Sequence, residues 1–242
     1  MTPTPPTGAE PVDLWSVDLR IVPASRELLD RHELWTAGRF RRDADRERYE
    51  RAHTAMRRIL AAYGATTAGA VRVTRSACAG CGGPHGRPEL VDPPRPLSFS
   101  MTHCGDTMLL AVATTTVGVD LEREPPHGTV EHVAGRLHPL EIAELEATPQ
   151  TDRPRAFARL WTRKEAFLKG IGTGLLDDSL RAHDLRPTAA SPHGWAVRNL
   201  TAPPRHAAAL ALRADPSCRV TVRTHRLDPK EPPCLTAGPP VD

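Results

Sequence analysis

The chain has 242 residues, 39% of them hydrophobic and 25% charged, with a formal net charge of +3. That length accommodates one large domain or two small ones around a substantial core. The small charge, mixed in sign, argues against a dedicated nucleic-acid binder while leaving room for a local basic pocket. No run of about 18 apolar residues occurs, and the N-terminus lacks a basic stretch followed by an apolar one, so membrane insertion and secretion are not expected and the cytoplasm is the default compartment.

Residues 1–10 and 228–242 are rich in Pro, Thr and Gly without apolar periodicity and are expected to be disordered or flexible. The run "GRFRRDADR" brings Arg39, Arg41 and Arg42 to a helix N-terminus, where an anion is welcome, although such runs are as often solvated faces. In "DADRERYERAHTAMRRILAAY" the residues Tyr49, Ala52, Met56, Ile59, Leu60 and Tyr63 form one stripe, which predicts an amphipathic helix over 43–63 with Gly64 as its stop.

The cysteine count of five is odd and, without a secretory signal, reads as reduced thiols. Cys78, Cys81 and His85 in "CAGCGGPH" supply half of a zinc site; no second pair follows to complete four ligands, and a glycine-rich turn carrying free thiols is the alternative. "HGRPEL" sets Arg87 in a Gly and Pro frame suited to a phosphate contact or to any tight turn. "SFSMTHCGD" ends an apolar run in hydroxyl, imidazole and glycine.

Residues 107–122 read as two strands, the second alternating Val117, Val119 and Leu121 with Gly118, Asp120 and Glu122. Asp120 and Glu122 then share a face, their Cα atoms about 6.5–7 Å apart, as two hard oxygen ligands for one Mg²⁺ or as acids of a half-exposed strand facing water. Helices are predicted at 139–147 and 154–170, and further strands at "WAVRNL", "HAAALAL" and "CRVTVRT". Helix, strands, helices, strands in that order indicate an α+β fold.

"WTRKEAFLKG" contains two of the chain's three lysines. On a helical wheel Lys164 falls within the apolar stripe of Phe157, Leu160, Trp161 and Leu168, and a lysine there needs a partner. Glu165 and Lys169 share a flank, which by itself fits a surface ion pair worth a few tenths of a kcal/mol.

Together "HGRP" at 85–88, "FSMTHC" at 99–104, "GVDLE" at 118–122 and "WTRKEAFLKGIGTGL" at 161–175 resemble the 4'-phosphopantetheinyl transferases of the surfactin-synthetase-activating type. The resemblance implies two similar α+β subdomains related by a pseudo-twofold, here 11–117 and 118–227, with the active site in the cleft between them. It implies a monomeric enzyme that moves the phosphopantetheine arm of coenzyme A to a serine of an apo acyl or peptidyl carrier protein and releases 3',5'-ADP. Asp120, Glu122 and Glu165 would hold Mg²⁺, with Glu165 also the base and Lys169 reaching the pyrophosphate. Thr102, His103 and Lys164 would meet the coenzyme phosphates, and Arg87, with Arg39 and Arg41, the 3'-phosphate. The acidic carrier would dock near residues 123–137, including Arg136. Two other readings remain: a metal-dependent phosphodiester hydrolase using the same acids, and a zinc-containing interaction module built on Cys78, Cys81 and His85.

Overall fold

The computed structural model describes residues 10–174, 177–215, 217–231, 233, 235 and 240–241. In chain order these form β1 (Glu10–Asp18), α1 (Arg31–Ala37), α2 (Asp43–Gly64), β2 (Val73–Arg75), β3 (Pro88–Leu90), β4 (Ser98–Cys104), β5 (Thr107–Ala113) and β6 (Val117–Arg123). There follow α3 (His127–Ala134), α4 (Pro139–Ala147), α5 (Arg153–Ile171), α6 (Asp177–Ala182), β7 (Trp195–Leu200), β8 (His206–Arg213), β9 (Val220–Arg226) and β10 (Pro240–Val241). The fold is mixed α+β. Residues 1–9 of the expected N-terminal segment lie outside the described residues, and Glu10 opens β1.

Two sheets, ordered β10-β9-β1-β5-β4 and β6-β8-β7, pack face to face, and a small β2-β3 hairpin stands beside them. Strand pleating explains the layering. In β1 and β5, Trp15, Val17, Met108, Leu110 and Val112 face α2, whereas Val12, Leu14, Leu109, Ala111 and Ala113 face Val119, Leu121, Leu210 and Leu212 of the second sheet. A strand covered on both faces has no room for polar alternation, which is why "TMLLAVA" is a continuous apolar run. Helix α5 seals the outer face of the second sheet with Ala166, Phe167 and Leu168 against Trp195, Val197, Ala209 and Ala211.

Gly64 is the last residue of α2, and Ala65 takes the left-handed cap at φ 48°, one residue beyond the expected stop. Of the three strands expected near the C-terminus, β7 and β8 extend β6, but β9 crosses over to lie parallel to β1, Glu10 opposite Val220 through Ser16 opposite Arg226. The crossing is pinned by side chains. His225 Nε2 lies 2.9 Å from Asp13 Oδ1 and its ring stacks on Trp15, while the Tyr63 hydroxyl donates to Asp13 Oδ2 and accepts from the Trp15 indole N–H.

Two helix starts share a device. Asp30 and Glu33 form a capping box at α1, and the buried guanidinium of Arg57 on α2 donates to both. At α4 the capping box is His138 and Glu141, and Glu141 Oε2 sits 2.8 Å from the ammonium of Lys164 on α5.

Candidate active site

Strand β6 and helix α5 approach each other unusually closely. A Cβ on Gly118 would lie 1.9 Å from the Ala166 carbonyl oxygen and 2.7 Å from the Gly170 nitrogen, so only glycine admits the helix. Gly170 in turn leaves room for the Trp195 ring, which a Cβ there would meet at 2.6 Å. This contact ties "GVDLE" to "WTRKEAFLKG": with the helix this near, Lys169 Nζ reaches Asp120 Oδ1 at 2.6 Å.

The first sheet buttresses the same point. Along β4 the hydroxyls of Ser98, Ser100 and Thr102 recur with period two and stand toward β6, where Ser98 and Ser100 accept from the Val117 and Val119 N–H groups. Thr102 donates to Asp120 Oδ1 at 3.1 Å. Thr102 therefore orients a carboxylate, a role its place in "FSMTHC" alone did not disclose; the alternating hydroxyls were the available signal.

Asp120 is only 1% exposed, which excludes a water-facing acid at that position. Its second oxygen, Oδ2, is buried without a hydrogen-bond partner. Glu122 and Glu165 crowd the same space. Burial, and then the Asp120 charge, push the Glu122 carboxyl up. Burial first, with Asp120 and Glu122 adding to it against the opposing Lys169, takes Glu165 to about 7. Three carboxylates and one ammonium under partial burial form an electrostatically unsatisfied group, and a hard divalent cation fits both the donor set and the orphaned oxygen. Their oxygens do not all converge: among the described residues, the three-residue metal-type cluster within 4.8 Å is Cys78, Cys81 and His85.

His103 follows at the exposed end of β4. Its imidazole is held below the usual range by its partial desolvation and by the nearby His53, Lys169 and Arg48. Arg87 lies beside the C-terminus of α5, its backbone nitrogen 3.4 Å from where a Gly172 Cβ would stand, and its guanidinium pairs with Glu89 at 2.9 Å. Arg39 and Arg41 are exposed in the α1–α2 turn, with Arg39 stacked 4.5 Å over Trp35, and no described contact joins them to the carboxylates.

Lys164 departs from expectation. It is 1% exposed, paired with Glu141, and donates to the His183 carbonyl at 2.6 Å, so it does not reach a coenzyme phosphate. Arg163 beside it is likewise structural, donating to the Leu185 carbonyl at 2.6 Å. Within "WTRKEAFLKG", residues 163 and 164 hold the helix in place and residues 165 and 169 face the carboxylate group.

A family model described as the 4'-phosphopantetheinyl transferase superfamily matches residues 116–220, the stretch that carries β6 and α5. The similarity reaches further in individual proteins. Slr0495 of Synechocystis sp., named for this activity, is 30% identical over 193 residues, covering 75% of this chain and 76% of its own. The chain belongs to the 4'-phosphopantetheinyl transferase superfamily. The 4'-phosphopantetheinyl transferase HetI of Nostoc sp. is 32% identical over 151 residues, 61% of each chain. AcpT of Salmonella typhimurium, a transferase of the same name, is 39% identical over 79 residues, 32% of this chain and 41% of its own. The enzyme is thus a 4'-phosphopantetheinyl transferase whose family match contains Asp120, Glu122, Glu165 and Lys169.

Proposed function

We propose that this enzyme transfers the phosphopantetheine arm of coenzyme A to a serine hydroxyl of an apo acyl or peptidyl carrier protein, releasing 3',5'-ADP, and that it acts as a surfactin-synthetase-activating-type monomer in the cytoplasm. The observation that carries the reading is the buried Asp120, bonded through Oδ1 to Lys169 and Thr102 and left unpartnered at Oδ2 beside Glu122 and Glu165. Asp120, Glu122 and Glu165 would hold Mg²⁺, which when bound offsets charge on the pyrophosphate. Lys169 places an ammonium where the same phosphates gather, and Thr102 fixes the carboxylate it pairs with. Glu165 would take the serine proton directly or through water as the serine oxygen bonds to phosphorus and the bond to the departing 3',5'-ADP breaks. His103 lies next to Lys169 as a phosphate contact, and Arg87 serves the 3'-phosphate with Arg39 and Arg41 as outer partners. Lys164 has no part in this set.

In this reading the two halves of the fold are related by a pseudo-twofold. Helix α2 on the first sheet answers α5 on the second, and each carries a buried cation, Arg57 or Lys164, bound to the third-position glutamate of a capping box, Glu33 or Glu141. That correspondence supports two related subdomains, 11–117 and 118–227. The carrier would dock over residues 123–137, where Arg123 and Arg136 are exposed.

The test is to incubate the enzyme with coenzyme A, Mg²⁺ and a panel of apo carriers and weigh the products. A carrier gaining one phosphopantetheine mass together with 3',5'-ADP is expected. Coenzyme A cleavage with no carrier gaining mass would favour the hydrolase reading instead. Arg87→Ala should weaken coenzyme A more than its 3'-dephospho form; equal weakening removes Arg87 from that contact.

A further inference from the structure

We propose that Cys78, Cys81 and His85 form a zinc-binding site at the tip of the β2-β3 hairpin, with two thiolates and one imidazole as ligands and the fourth position open to water. Their ligand atoms all lie within 4.8 Å of one another, and Cys81 Sγ is 3.0 Å from His85 Nε2. Sulfur and imidazole donors gathered in this way suit zinc rather than the oxygen-seeking Mg²⁺.

The backbone around the cluster is shaped for it. The turn closes through Cys78 N–H to the Gly83 carbonyl at 2.7 Å and Gly82 N–H to the Cys78 carbonyl at 2.8 Å. Gly82 takes φ +72°, which disfavours any side chain. A Cβ on Gly83 would stand 3.0 Å and 3.1 Å from His85 ring atoms and 3.4 Å from Cys81 Sγ, so glycine preserves the space in which the ligands meet. An ordinary glycine-rich turn accounts for the bends but not for three metal-type donors converging inside them.

The site's position gives it a purpose. Cys78 is buried and its sulfur lies 3.8 Å from the Thr173 carbonyl just after α5, while Cys81 and His85 are exposed, which turns the open position toward solvent. Two residues beyond His85, Arg87 rests against Gly172, and its carbonyl accepts from the Ser76 N–H at 3.1 Å. A metal here would clamp the hairpin tip and hold Arg87 at the end of the catalytic helix. This consequence for Arg87 rests on the proposed function; the metal site itself does not.

Cobalt substitution of the full-length protein in excess Mg²⁺ separates the cases. Co²⁺ should produce a thiolate charge-transfer band and the intense visible bands of a four-coordinate ion, unchanged in Asp120→Asn because carboxylates cannot generate the former. The bands should vanish in Cys78→Ser/Cys81→Ser, which still carries Cys104, Cys218 and Cys234. If that variant does not fold by circular dichroism, His85→Gln, which alters one exposed ligand, should shift the visible bands and weaken cobalt at least tenfold. As isolated without chelator, the protein should carry about one zinc, lost from the same variants. Absence of the thiolate band in the reduced wild-type protein, its persistence in the folded double variant, or an unaltered spectrum in His85→Gln would overturn the proposal.

Discussion

Lys164 and Lys169 lie five positions apart on one helix, yet their surroundings make opposite demands on a substitution. Lys164 faces Glu141, which is fully buried and also accepts from the Leu185 N–H at 2.7 Å. Removing one member of such a pair strands the other charge and costs about 3–5 kcal/mol. Lys164→Met should therefore lower the midpoint of denaturant unfolding sharply while the protein that remains folded keeps its affinity for coenzyme A. Lys169→Arg should do the reverse, since the planar guanidinium replaces a compact ammonium 2.6 Å from Asp120: stability near wild type, with a clear loss in kcat. Wild-type turnover in that variant would leave Lys169 as a mere ion-pair partner. Glu165 adds a pH signature. Its native value of about 7 exceeds the ordinary 4.5, so between those values the folded protein holds a proton that the unfolded chain has shed. Stability of the metal-free enzyme should thus fall as pH rises through that window, and Mg²⁺ should restore it mainly at the upper end. Glu165→Gln should remove this share of the pH dependence and reduce turnover by roughly 10² or more; an unchanged stability profile would separate Glu165 from the acidic group.

At the scale of elements, the contact between β6 and α5 decides whether the site exists. Gly118→Ala would force a Cβ to within 1.9 Å of the Ala166 carbonyl, and the helix must shift or the strand must bend. The variant should lose both stability and transferase activity, whereas Gly69→Ala, whose added carbon would meet only the Leu28 side chain at 3.7 Å, should lose neither. Equal behaviour of the two alanines in unfolding and transfer assays would show that the close approach is dispensable. These packed elements were also the legible ones. The stripe of Tyr49, Met56, Ile59 and Tyr63 announced α2, the alternation through Val117, Val119 and Leu121 announced β6, and α4 and α5 were expected within a residue of their observed ends. The paired motifs also pointed to the acids on β6 and the residues facing them on α5. What stayed hidden depends on partners distant in sequence. Lys164 on the apolar stripe required a counter-charge, but an ordinary third-position glutamate 23 residues earlier did not declare itself as that partner. The hairpin strands β2 and β3 are three residues each, too short for periodicity to register, and β1 carries Asp13 on the face it shares with Trp15 because His225 and Tyr63 await it there.

Across the whole molecule, the crossing of β9 interlocks parts that the sequence divides near residue 117. Val220 and Val222 pack into the core between the sheets, and Leu227 belongs to the core under α2, so a segment from the end of the chain completes the first half of the fold. That shared core also contains Leu14 and Ala111 of the first sheet against Val119 and Leu210 of the second, which leaves neither sheet with an inner face it can cover alone. Separation would expose those apolar surfaces at about 25 cal/mol per Å² and unpair β1 from β9. The two sheets and the helices packed on them should therefore unfold as one cooperative unit. Trp15 and Trp195, each buried in a different half, provide the reporters. Variants in which the remaining tryptophans are replaced by phenylalanine, leaving one reporter or the other, should give denaturant transitions whose midpoints differ from the full protein's only by the cost of the replacements, and each variant's fluorescence midpoint should coincide with its own far-ultraviolet circular dichroism. If Trp15 fluorescence changes at a denaturant concentration where the circular dichroism of the second half persists, the halves are separable and the β9 crossing is an attachment rather than a lock.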